Sequence, residues 1–259
     1  MTADTFRLQR RLTQACQMGV APALALGVVH GKEHQRKTWF AGHLDDSGNG
    51  ICNDQTIFDL ASLTKPLTTT LWLLRLVQDG KLSLDDPIGK FIDVGSIALS
   101  ACPIWRLLTH TTGLPAHQEY FRGLGPHALQ RGSFSSARDT IHRMIRTSQP
   151  EHAPGRIEIY SDIGYLCLEM VCEAVDKPLS EAWHELPYHS TQSLHFRPIA
   201  RGLDSGNVAA TERCPWRGVM LRGQVHDDNC WTMGGVAGHA GLFGTLEAVM
   251  AIGQGWLDA

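Results

Sequence analysis

The sequence predicts an α+β fold, and three observations carry the prediction. Two strand-like runs lie near the N-terminus. The middle of the chain is a succession of segments whose apolar residues recur with a period near 3.6. Short strand-like runs and a glycine-rich stretch follow, before a last helical pattern. In chain order, residues 4–18 place Phe6, Leu8, Leu12 and Cys16 at near-helical spacing, which predicts an amphipathic helix. Residues 22–30 read as a buried strand, Gly31-Lys32 as a turn, and residues 36–42 as a second strand completing a hairpin. Residues 45–50 (Asp-Asp-Ser-Gly-Asn-Gly) have loop composition. Residues 62–79, rich in Leu and Thr, predict a helix that Gly80 stops. A short helix over 103–109 ends in Thr-His-Thr-Thr-Gly, and further helices are predicted over 137–148 and 163–176. Residues 185–206 read as loop, 207–212 and 218–226 as short strands, 234–244 as a glycine-rich loop, and 246–259 as the start of a helix. No internal repeat or low-complexity tract interrupts the pattern.

Composition bounds the function. The chain has 259 residues, 43% of them hydrophobic and 19% charged, which excludes disorder, collagen and coiled coil as the main organisation. That length is far above the size at which a core must be stapled by metals or disulfides. With 23 basic against 26 acidic residues, the formal charge is −3, so no cationic excess drives nucleic-acid binding. Seven cysteines are scattered without a Cys-x-x-Cys pair, so they read as reduced, buried thiols rather than a disulfide framework or zinc site. No signal-peptide h-region follows the charged N-terminus, and the apolar run 21–30 is too short to span a bilayer. A cytoplasmic location without membrane association is the expectation.

The most informative tetrapeptide is Ser62-Leu63-Thr64-Lys65. Residues three apart share a helix face, so the Lys65 amine can reach the Ser62 hydroxyl. A serine is a weak nucleophile until a base takes its proton, and a lysine serves only where burial or nearby charge suits its pKa to the task. At a helix start the Ser62 N–H is free to donate to an oxyanion. Alone, the tetrapeptide is equally an ordinary Ser and Lys on a helix.

Other segments single it out. Phe58-Asp59-Leu60-Ala61 precedes the serine, and residues 80–88 (Gly-Lys-Leu-Ser-Leu-Asp-Asp-Pro-Ile) follow the helix. Then come residues 107–115 (Leu-Leu-Thr-His-Thr-Thr-Gly-Leu-Pro), Pro154-Gly155 and Tyr160-Ser161-Asp162-Ile163-Gly164-Tyr165. Further on stand Ala210-Thr211-Glu212, Pro215-Trp216-Arg217-Gly218, residues 225–229 (Val-His-Asp-Asp-Asn) and residues 234–243 (Gly-Gly-Val-Ala-Gly-His-Ala-Gly-Leu-Phe). In this order and spacing, from about residue 20 to the last, the chain resembles the serine beta-lactamase-related family. That family holds class C beta-lactamases, D-Ala-D-Ala carboxypeptidases and beta-lactamase-like esterases, and the later segments resemble the esterase-like branch.

The resemblance implies a beta-lactamase/transpeptidase-like fold: an antiparallel sheet region flanked by helices, plus a mostly helical region. It places one domain over 1–259, with 1–58 and about 205–259 on the sheet side and about 59–204 mostly helical. The site is expected between the two. Ser62 would attack a carbonyl and become acylated. Lys65 would accept or stabilise the proton, and Tyr160, as phenolate or relay, would later help activate water. Position 162 is Asp where beta-lactamases usually carry Asn. A carboxylate there favours a lysine ammonium and shifts the base role to Tyr160.

The family also completes its site with a Lys-Thr-Gly or His-Thr-Gly strand motif. The only look-alike here is His239-Ala240-Gly241. Either the true third motif lies beyond residue 259 and the sheet is incomplete, or His239 itself takes the supporting role. Losing an oxyanion donor costs roughly 10²–10³ in rate. An open sheet edge invites pairing, so weak activity or self-association through that edge is expected of a short form.

Several residues have plainer readings. His226, Asp227 and Asp228 with His239 could hold a metal, but read as a structural loop, so no metal or cofactor is expected. His110 reads as a hydrogen-bonded loop anchor rather than a base. No phosphate-loop motif is present. Trp72, Trp105 and Trp183 read as core. The expected function is a serine hydrolase of small esters or peptide-like amides, with no nucleic-acid or membrane partner. The alternatives are a beta-lactamase or D-Ala-D-Ala carboxypeptidase, and a catalytically impaired binding or non-functional member.

Overall fold

The computed structural model describes residues 3–30, 35–124, 134–186, 193–197 and 205–258. The predicted Gly31-Lys32 turn lies outside them. The chain forms α1 (Ala3–Gln17), β1 (Ala23–His30), β2 (Gln35–Gly42), β3 (Phe58–Asp59), α2 (Thr70–Gln78), α3 (Ile97–Ser100), α4 (Trp105–Leu108), α5 (Phe134–Arg146), α6 (Asp162–Val175), α7 (Leu179–Ala182), β4 (Leu194–Phe196), β5 (Ala210–Cys214), β6 (Val219–Arg222), α8 (Asp228–Thr232), β7 (Leu242–Gly244) and α9 (Leu246–Asp258). It divides into two compact units. One holds Met1–Leu60, Thr191–His226 and Leu242–Ala259, and the other Ala61–Ser190 and Asp227–Gly241. Residues 227–241, expected on the sheet side, therefore belong to the helical unit.

In the first unit, β1 and β2 pair antiparallel from Ala23↔Gly42 to His30↔Gln35. The amphipathic α1 packs on β2, and the Gln9 amide donates to the Phe40 carbonyl at 2.8 Å. Helix α9 packs on β1 over Gly27, where a Cβ would lie 2.2 Å from the Met250 sulfur and would force that side chain to move. The strand order β3-β7-β4 makes a second antiparallel sheet, and β5 pairs with β6. Strands β3, β4 and β7 fall in segments read as loop or left unassigned. Each is two or three residues long, too short to show a period of two, and each is held by a partner far away in sequence.

The second unit is built around α6, buried continuously from Ile163 to Cys172. The predicted helix over 62–79 is three pieces: a 3₁₀ turn at Ala61–Leu63, a π-helical turn at Lys65–Thr69 and then α2. Pro66 has no N–H to give an i→i−4 bond, and the Thr68 hydroxyl donates to the Thr64 carbonyl at 2.6 Å, so a regular α-helix starts only at Thr70. Gly80 ends the helix at φ +69°, as its position predicted. Trp72 and Trp183 are core. Trp105 is not core: it is only half-buried, with the Arg106 guanidinium rather than apolar side chains over its face at 4.4 Å. No disulfide joins the seven cysteines, and six of them are buried. Among the described residues no helix is long and apolar enough to cross a membrane.

Candidate active site

Ser62, Lys65, Tyr160, Asp162 and His239 all belong to the helical unit. Ser62 sits on the 3₁₀ turn directly after Ala61, whose φ of +46° is strained for a residue with a Cβ. The Thr64 hydroxyl donates to the Ala61 carbonyl at 2.7 Å and braces that turn. Ser62 is exposed, whereas Lys65, three residues on, is 2% exposed.

The Lys65 ammonium nitrogen has three acceptors. It lies 2.9 Å from Ser62 Oγ, 2.6 Å from Asp162 Oδ1 and 3.3 Å from the His239 carbonyl. Three donors meet three acceptors, so the ammonium form is fully satisfied although almost wholly buried. The Tyr160 ring lies 4.8 Å from the same nitrogen and Tyr165 5.7 Å from it, adding cation–π contact. Tyr160 is 53% exposed, so its phenol faces solvent over the buried lysine.

Asp162 opens α6 after Ser161, whose hydroxyl accepts the Gly164 amide at 3.0 Å as the helix cap. Its second oxygen receives His117 Nδ1 at 3.1 Å. Burial pushes the Asp162 carboxyl up, but the His117 hydrogen bond and the charges of His239 and Lys65 outweigh it and hold the group well below the ordinary carboxylate range. His117 is raised in turn, chiefly by that hydrogen bond. His117 was not legible in the sequence: it stands 45 residues from Asp162 with no motif of its own.

His239 is not placed as a strand-borne third motif. It lies in the turn bridging Ala237 to Ala240, 1% exposed, with Nε2 at 2.9 Å from Asp227 Oδ1. What reaches Lys65 is its carbonyl, not its ring. Asp227 also caps α8 through the Cys230 amide at 2.6 Å. The turn is anchored from below. Glu169, fully buried, accepts the Gly238 amide at 2.8 Å and pairs with Arg138, whose other nitrogen donates to the Val236 carbonyl at 2.7 Å. A Cβ on Gly238 would lie 2.8 Å from both Glu169 Cβ and the Tyr165 carbonyl, so the turn packs this closely only with glycine.

Among the described residues, two groups bring metal-ligating atoms within 4.8 Å of one another: His117, Asp162 and Asp227, and His142, Glu169 and Glu173. In both the carboxylates already have cationic partners. Lys65 and His117 hold Asp162, His239 holds Asp227, and Arg138 bridges Glu169 and Glu173. The sequence-level candidate His226 faces Glu212 instead, at 3.2 Å.

A family model described as Beta-lactamase matches residues 8–256. The chain belongs to the beta-lactamase family. A relative from Escherichia coli (strain K12), provisionally named a D-alanyl-D-alanine carboxypeptidase, is 31% identical over 97% of this chain and 63% of its own length. One of the same provisional name from Salmonella agona is 31% identical over 80% of this chain and 52% of its own. The octameric penicillin-binding protein homologue from Pyrococcus abyssi superposes with a TM-score of 0.74 at 19% identity, over 98% of this chain and 56% of that one. The D-amino acid amidase from Ochrobactrum anthropi gives 0.69 at 19% identity, over 95% and 68%. At that identity the likeness establishes the fold, which is beta-lactamase/transpeptidase-like as the sequence motifs implied. The chain spans between about half and two thirds of the length of these curated relatives.

Proposed function

We propose that this chain carries the nucleophile of a serine hydrolase that cleaves peptide-like amides through an acyl-enzyme on Ser62. The observation that carries the reading is the buried Lys65 Nζ 2.9 Å from Ser62 Oγ. Ser62 Oγ attacks the substrate carbonyl carbon, and the amine leaves with a proton. Water then cleaves the acyl ester and restores the hydroxyl. Lys65, which donates to Ser62 Oγ, stabilises the negative charge that develops there during attack. The proton then passes most directly through Tyr160, in keeping with the carboxylate at position 162. The names of the relatives favour peptides ending in D-amino acids, or their amides, over simple esters. Esters and beta-lactams remain substrates that such a nucleophile can open.

A second reading, a binding module with little turnover, is favoured by one observation: the His239 imidazole is buried on Asp227 and offers no cation to a substrate carboxylate. Self-association belongs to the proposal as well. The β1–β2 pair is a two-stranded sheet among the described residues, and the Pyrococcus abyssi relative is octameric. The test is hydrolysis by this chain of an N-acyl-D-Ala-D-Ala peptide, a D-amino acid amide, a chromogenic acetate ester and a penicillin, each with Ser62→Ala alongside. Ser62-dependent turnover fastest on the first two supports the proposal. Ser62-dependent binding without turnover supports the second reading and overturns the first.

A further inference from the structure

We propose that His110 is the positioning residue that aims Tyr160, gripping the backbone on both sides of it; this rests on the reading of Tyr160 as part of the acylation machinery. The His110 carbonyl accepts the Ile159 amide at 2.9 Å. Its Nδ1 accepts the Ser161 amide at 3.0 Å. One residue thus holds the amide N–H groups of both neighbours of Tyr160, Ile159 and Ser161. Its ring also packs against the Tyr160 ring, with centroids 4.5 Å apart, and against Tyr165 at 5.2 Å.

The backbone supports this use. His110 adopts φ +56°, a left-handed conformation uncommon for a residue with a side chain. The neighbouring chain is strapped to the same segment: the Thr111 carbonyl accepts the Gly155 amide at 2.8 Å, the Ala116 carbonyl accepts the Asp162 amide at 2.8 Å, and the Ser161 hydroxyl donates to the Pro115 carbonyl at 2.6 Å. Tyr160 is more than half exposed, so besides His110 and the Lys65 nitrogen 4.8 Å from its ring centroid, much of its surface meets solvent.

The geometry dictates a tautomer. Nδ1 accepts, so the imidazole carries its proton on Nε2 and must be neutral. The charged and titratable groups facing His110 are Lys65, Glu158, Asp162, Tyr160 and Tyr165. Burial, then the Lys65 charge, lowers the His110 pKa, against the opposing carboxylates of Glu158 and Asp162. Protonation would turn Nδ1 into a donor facing the Ser161 amide and loosen Tyr160.

The test compares His110→Phe, which keeps a ring but no acceptor, with His110→Asn, which keeps a short acceptor, and with Tyr160→Phe. Acylation of Ser62 by a fluorophosphonate probe is followed by intact mass from pH 4 to 8. Imidazole ¹⁵N NMR of the wild type reports the tautomer. We expect the maximal acylation rate of His110→Phe to fall roughly ten- to a hundred-fold, with the half-saturating probe concentration unchanged. Most of the rate should return in His110→Asn, and its acid limb should differ from that of the wild type. The Nε2–H tautomer should be seen whether or not the probe reacts. Wild-type acylation by His110→Phe alongside a slow Tyr160→Phe overturns the proposal alone. Wild-type acylation by Tyr160→Phe overturns the reading of Tyr160 and the proposal with it. An Nδ1–H tautomer overturns the proposal directly.

Discussion

Replacing Asp162 by Asn removes one charge and little else, so its effect can be worked from the geometry. The Lys65 and Asp162 side chains are 3% and 22% exposed, and their charged atoms lie 2.6 Å apart. At an effective dielectric near 20, two unit charges at that distance attract by about 6 kcal/mol. Desolvation of both groups cancels much of this, and deleting one partner of a buried pair typically costs about 3–5 kcal/mol. Asn retains an acceptor for the Lys65 ammonium, so we expect the lower end, about 3 kcal/mol. For a chain of this size that lowers Tm by roughly 6–12 °C.

The pH dependence has a definite sign. The folded Asp162 carboxyl is held below its unfolded value, so its contribution is present above about pH 4 and is lost as pH falls further. The folded His117 is raised, so its contribution is present below about pH 6.5 and is lost as pH rises through the folded value. The gap between wild type and Asp162→Asn should therefore be widest between about pH 4.5 and 6.5. Thermal denaturation by circular dichroism from pH 3 to 9 reads it. A gap that is flat across that range, or a variant as stable as the wild type at pH 5.5, would refute the argument.

Two further outcomes follow from the buried charges. Arg138→Met leaves Glu169 buried without its cation and should lose about 3–5 kcal/mol in urea denaturation, with slower probe labelling of Ser62 as the His239 carbonyl loses its anchor; unchanged stability would contradict this. Burial, then the Arg138 charge, pushes His142 down to about 4, and its Nε2 has no partner among the described residues. The unfolded chain therefore takes up the proton first as pH falls. The contribution of His142 to stability should fall by about 3 kcal/mol between about pH 6.5 and 4, and His142→Gln should change the pH slope of the wild type by that amount; an equal slope in the variant would sink the assignment.

Much of the helical part was legible because its elements are long and periodic. The pattern over 163–176 became α6, and Gly80 closed α2 where a C-terminal glycine should. The Ser62–Lys65 spacing placed the amine on the hydroxyl, although through a 3₁₀ and a π turn rather than the α-helix assumed. That irregularity hid in Pro66 and the threonine hydroxyls, whose effect depends on which carbonyls they find. The short strands β3, β4 and β7 were illegible because partners far along the chain, not periodicity, define them. The same holds at the site. The Asp162–His117, Asp227–His239 and Glu169–Gly238 contacts join residues that no local pattern links. His110 was read correctly as a hydrogen-bonded anchor, but that it grips both sides of Tyr160 needed the folded chain. His239 was placed near the site for the wrong reason: its carbonyl, not its imidazole, meets Lys65.

The central claim is that Lys65 activates Ser62. Treating the chain with a fluorophosphonate and mapping the adduct by peptide mass spectrometry, beside Ser62→Ala and Lys65→Met shown to be folded, tests it most directly. The account predicts a single adduct on Ser62, absent in Ser62→Ala and slowed at least a hundred-fold in Lys65→Met, on the order expected when the partner of an activated nucleophile is removed. An adduct on another residue, no adduct on a folded wild type, or undiminished labelling in Lys65→Met would contradict it.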